Sequence, residues 1–152
     1  MVGLIELIQA SLVPVVLISG ACLLALGIQE RYGRVIDRIR IFDKEIYASQ
    51  KMNKDWLESI ESQMRILIKR GKMLRNAMFW ILLCVMLIVF STVLLTFNLL
   101  FNFPEDAVTA IFIFSLISLF IGTLFAVIEI FVSYRAVIAE SKMGLKYLQK
   151  MK

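Results

Sequence analysis

Ser115, Ser118, Gly122, Ala126, Glu129 and Ser133 follow one another at steps of three or four, so they share one face of a helix. The residues around them are Ile, Leu, Phe and Val. Two chemistries fit such a stripe. Small residues let helix backbones approach closely while serines hydrogen-bond across the contact. Alternatively, the face lines a water-accessible path, with Glu129 as a charged ring or a proton-handling group. A charge inside hydrocarbon costs about 3 kcal/mol or more. Glu129 is therefore expected to form a structural ion pair with Arg31, Arg34 or Arg75, which fall near the same level.

Two further sets of charges could bind something. Arg31, Arg34 and Arg38 follow the first apolar run directly and lie where lipid phosphates would lie. They suit an anionic headgroup or another anionic ligand, each worth about 1 kcal/mol against an anionic leaflet. Glu6, Glu105 and Asp106 make the opposite rim acidic. Repeated around an oligomer they would concentrate cations, although ordinary depletion of positive charge outside a membrane gives the same pattern. The chain has no His, and its two cysteines, Cys22 and Cys84, sit inside apolar runs. Without a CxxC, an HExxH or a Cys/His cluster, no metal site is expected, and no cofactor. No phosphate-cradling glycine loop or nucleophile elbow is present, so no enzymatic activity is expected.

The elements that must position these residues follow from composition. The 152 residues are 60% hydrophobic, with a mean hydropathy of +0.82, which places the chain in the integral-membrane class. Leu4 to Gly27 carries one charge, Glu6, and is long enough to cross about 30 Å of hydrocarbon at about 1.5 Å per residue. It is too long for the apolar region of a signal peptide and lacks a basic lead. Pro14 within it frees the carbonyl of Ala10, which predicts a kink or a packed neighbour. Residues 77–101 and 107–134 are the second and third spans.

Every one of the 17 basic residues lies between 29 and 76 or between 135 and 152. Basic loops remain in the cytoplasm, so the N-terminus is expected outside and the C-terminus inside. Between the first two spans, Tyr32, Val35, Ile36, Ile39, Phe42 and Ile46 form one apolar stripe. Trp56, Ile60, Met64, Leu67, Gly71 and Leu74 form a second. They predict a helical hairpin turning at ASQKMNK (48–54). A short external turn at 102–106 joins the second and third spans. The expected fold is an all-α membrane protein, 1–152 as one unit: three transmembrane helices (4–28, 77–101, 107–134), a cytoplasmic hairpin (29–76) and a C-terminal helix (135–152).

Two blocks, LIQASLVPVVLISG (7–20) and RYGRVIDRIR (31–40), resemble a family of small bacterial three-span membrane proteins known only as a domain of unknown function. The resemblance implies an inner-membrane protein. It marks Pro14, Ser19, Arg34, Asp37 and Arg38 as family-pattern positions and brings no assigned activity.

Three spans are too few to enclose a pathway within one chain, whereas a symmetric ring can. The leading expectation is a homo-oligomeric, cation-preferring pore, lined by the third-span stripe or by the Glu6/Gln9 face of the first span. The alternative is a non-conducting adaptor or scaffold whose cytoplasmic hairpin binds a protein partner or anionic lipid. Membrane lipids are the expected partners, and nucleic acid is not, because the basic segments face anionic headgroups first.

Overall fold

The computed structural model describes residues 4–48, 54–101 and 105–150, with side chains over 12–47, 60–95, 106–135 and 137–138. All described elements are helical: α1 (Leu4–Ala48), α2 (Lys54–Phe101) and α3 (Glu105–Lys150). They contain 45, 48 and 46 residues, so each is a rod about 70 Å long. A bilayer core takes about 30 Å of that, and the remainder of each helix carries its charges. α1 runs through Pro14 without interruption. The segment 49–53, which holds most of the expected hairpin turn, and residues 102–104 of the expected external turn lie outside the described residues.

Why three rods associate is visible in which residues are buried. On α1 these include Ala21, Ile28 and Val35; on α2, Ile60, Leu67, Leu74, Ile81 and Ile88; on α3, Val108, Ser115, Gly122 and Glu129. Within each set the spacing is seven residues. α2 adds a second register three residues on, through Ala77, Cys84 and Ser91. This is the pattern of a coiled-coil seam, in which helices cross at a shallow angle and keep one edge in contact over many turns. Because α2 carries two buried registers it can hold a neighbour on each side. It packs against both α1 and α3, while α1 and α3 hardly touch each other.

Packing in the apolar half cannot rest on the hydrophobic effect, since lipid is as apolar as leucine; close contact and interhelical hydrogen bonds take its place. At Gly122 a Cβ would stand 2.7 Å from Ile81 Cγ1 and 3.2 Å from the Ala77 carbonyl oxygen. Only a residue without a side chain lets α3 lie this close to the α2 backbone. Ser118 Oγ donates across the same contact to the Trp80 carbonyl, at 2.9 Å. Away from the seams, Leu23 and Phe120 are about two-thirds exposed, and Val16, Phe79 and Phe131 point outward with them. Such a surface suits hydrocarbon as solvent, and all three helices are long and apolar enough to cross a membrane. The α1–α2 core cluster continues past the apolar run through Val35, Ile39, Phe42 and Leu67, so the two helices stay paired into their charged halves.

Candidate functional site

Where the three helices pass from apolar to basic composition, one carboxylate joins them. Glu129 occupies the buried register of α3 and is only 1% exposed. Arg70 Nε of α2 donates to its Oε1 at 2.9 Å, and Arg31 Nη1 of α1 stands 3.9 Å from its Oε2. The Arg70 side chain is 20% exposed and that of Arg31 46%. A buried acid with one arginine in hydrogen-bond contact and a second in ion-pair range has the partners that burial demands. The pair also supplies what direct packing does not, a link from α3 to α1.

Around this clamp lies an open cleft of about 480 Å³. Its basic walls are Arg31, Arg34 and Arg38 from α1 and Arg70 from α2, with Glu129, Ser133 and Tyr134 from α3. The spacing of Arg31, Arg34 and Arg38 sets all three on one flank of α1, beside the buried Ile28 and Val35. Four guanidiniums and one carboxylate therefore line one concave space. Guanidinium forks match the oxygens of phosphate and carboxylate groups bidentately. Two further charged pairs, Arg40 with Asp37 (3.4 Å) and Arg65 with Glu61 (2.6 Å), lie on exposed helix faces and are worth little.

The expected site residues divide among distinct surroundings. Ser115, Ser118, Gly122 and Glu129 are buried; Ser115 Oγ donates to the Phe112 carbonyl of its own helix at 2.6 Å. Ala126 is half-buried beside the α1–α2 core, and Ser133 lines the cleft. Arg31, Arg34 and Arg38 share that cleft. Asp106 is exposed near the start of α3. The side chains of Glu6 and Glu105, although both residues are helical, lie outside the described set. On α2, Thr92 Oγ1 donates to the Val89 carbonyl of its own helix at 2.7 Å.

Of the expected partners for Glu129, Arg31 is in range, whereas Arg75 lines a separate cleft on the other side of α1 with Tyr32 and Lys72. The main partner, Arg70, escaped the sequence reasoning. Its signal was present: Arg70 stands seven residues before Ala77, in the same register as Cys84 and Ser91. A charge in a seam position needs an opposite charge in the facing seam, and Glu129 is the acid there.

Among the described residues no group of His, Cys, Asp or Glu could hold a metal ion. The fold and the clamp together define a helical membrane protein of three candidate spans with a basic cleft at one end of its apolar section. The chain belongs to the family described as protein of unknown function (DUF2721), which it matches over residues 11–138. The resemblance to an uncharacterised membrane-protein family is thus borne out. No curated protein and no solved structure matches the chain.

Proposed function

We propose that this is a non-catalytic multi-pass membrane protein that binds phosphate-bearing anionic headgroups in the Arg31/Arg34/Arg38/Arg70 cleft, with its basic end in the cytoplasm. The observation that carries this reading is the concave grouping of four guanidiniums around a single carboxylate at the end of the apolar section. Charge sorting supports the orientation, since all 17 basic residues fall on one side of the spans. In that orientation the cleft opens at the depth of the inner leaflet's headgroups, where anionic lipids concentrate. The charged halves of α1 and α2 extend beyond it as a paired arm and suit a scaffold.

A homo-oligomeric pore lined by the third-span stripe draws less support. Ser115, Ser118, Gly122 and Glu129 are the residues that would face its axis, and in the protomer they are buried, Ser118, Gly122 and Glu129 in contact with α2. Those three contacts commit part of the stripe to helix packing and ion pairing.

The test is lipid selectivity. Protein in micelles, titrated with phosphatidylglycerol or phosphatidylcholine and analysed by native mass spectrometry, is expected to retain the anionic lipid preferentially. Each of Arg34→Gln and Arg38→Gln should weaken that retention about fivefold, in line with about 1 kcal/mol per basic residue at an anionic surface. Equal retention of both lipids, or unchanged retention in the double variant, would remove the proposal.

A further inference from the structure

Three of the clefts are bordered by all three helices. Because α1 and α3 hardly touch, a furrow runs between them with α2 as its floor. Near the acidic end it holds a space of about 260 Å³ lined by Pro14, Ser91 and Phe112, among others. Further along is a trough of about 290 Å³ between Leu23, Gly27 and Ile28 of α1 and Thr123, Ala126 and Val127 of α3, floored by Ile81. That trough shares Arg31 and Ile130 with the basic cleft, so the two spaces join.

We propose that the trough seats one acyl chain of a phospholipid whose phosphate lies among the cleft arginines. The inference rests on the anion-binding reading and adds to it the class of ligand: a membrane lipid rather than a soluble phosphate.

Three features argue for this occupant. The trough is apolar, and the hydroxyl of Thr123 is already committed to its own helix, donating to the Leu119 and Phe120 carbonyls at 3.1 and 2.8 Å. Its length suits a chain: Leu23 to Arg31 is about 12 Å of helix at about 1.5 Å per residue, close to the depth of one leaflet's hydrocarbon, half of about 30 Å. Its wall is open at Gly27, where an added Cβ would meet nothing within 4 Å. This contrasts with Gly122, where the absent side chain is filled by Ile81. A phospholipid is the ligand with an anion at one end and a narrow apolar thread at the other. A helix about 10 Å across would need far more than about 290 Å³ over that length.

Gly27→Leu puts a branched side chain into the trough and leaves the arginines alone. In micelles, native mass spectrometry of this variant should show phosphatidylglycerol retention falling at least tenfold, as several buried methylenes at about 0.8 kcal/mol each imply. Stabilisation by soluble glycerol 3-phosphate, read as a thermal shift, should stay at the wild-type level. The Arg34→Gln/Arg38→Gln variant should lose both, which separates failure of the headgroup site from failure of the chain site. Cys22→Leu, at an exposed position of α1 outside the trough and turned away from Gly27, controls for bulk on α1 and should retain the lipid. As a measurement free of substitutions, phosphatidylglycerol with a mid-chain diazirine should crosslink wild-type protein at Leu23–Ile28 or Thr123–Val127. Full lipid retention by Gly27→Leu, or crosslinks spread over the outward faces of Phe79 and Phe120, would overturn the inference. So would a change in oligomeric mass in place of lipid loss, which would make a second copy of the chain the occupant.

Discussion

Arg70 Nε and Glu129 Oε1 lie 2.9 Å apart, and each side chain occupies a seam position that hydrophobic residues fill elsewhere along its helix. The two sequence positions are 59 residues apart. A charge at a seam position is acceptable only when the facing position answers it, so this pair fixes the register of α2 against α3. A shift by one turn would bury Glu129 against Leu67 or Leu74. Polar pairs in otherwise apolar seams are well attested as register devices.

Breaking the pair from one side should therefore cost more than removing it entirely. Glu129→Leu leaves Arg70 partly buried without its carboxylate, and a loss on the order of 3 kcal/mol is expected. The Glu129→Leu/Arg70→Leu double variant should recover most of that loss, because a continuous apolar seam replaces the pair. Thermal or denaturant unfolding in micelles, arranged as a double-mutant cycle, measures the coupling. Strictly additive losses would show that the two side chains do not act as a pair.

Gly122 and Gly27 form a second contrast, this time in shape. Gly122→Ala must push Ile81 or the α2 backbone away, since its Cβ would come within 2.7 Å of Ile81 Cγ1. Overpacking of this kind costs about 1–3 kcal/mol. Gly27→Ala meets open space and exchanges glycine for a better helix former, a change worth up to about 1 kcal/mol in its favour. Opposite signs in the unfolding midpoints are the expected outcome.

Ser118 donates across to a neighbouring helix, and its contribution should be modest. Ser118→Ala removes the bond to the Trp80 carbonyl, and membrane interhelical hydrogen bonds average about 0.6 kcal/mol. Leu74→Ala, at a fully buried seam position, should cost about 2–5 kcal/mol. The same unfolding assay ranks the two, and a larger loss at Ser118 than at Leu74 would mean that hydrogen bonding dominates the association.

The three apolar helices could be inferred from the sequence because hydrocarbon imposes a length and a composition that few other structures require. The stripe through Ser115, Ser118, Gly122 and Glu129 could be inferred for a related reason: small and polar residues stand out against leucine and phenylalanine. What they touch could not be inferred. A stripe packed on a sister helix and a stripe facing water have the same one-dimensional pattern, and Trp80 and Ile81 carry no mark identifying them as the partners. Arg70 was obscured by its own neighbours, since Lys69, Lys72 and Arg75 make it one of a run of basic residues. Only the seven-residue register through Ala77, Cys84 and Ser91 separates it from them. The cleft was half visible, in the spacing of Arg31, Arg34 and Arg38; its other wall depends on how α1 and α3 are arranged around α2.

Placement of the cleft at the inner leaflet depends on orientation, which substituted-cysteine labelling can test. In a Cys22→Ser/Cys84→Ser background, Asp106→Cys lies at an exposed position near the start of α3. It should react with a membrane-impermeant maleimide added to intact cells. Tyr47→Cys, exposed near the far end of α1, should react only after permeabilisation. The two sites lie at opposite ends of the rods, so charge sorting predicts complementary labelling. The reverse pattern would put the arginines at the outer leaflet and deprive the cleft of the anionic surface that the inner one supplies.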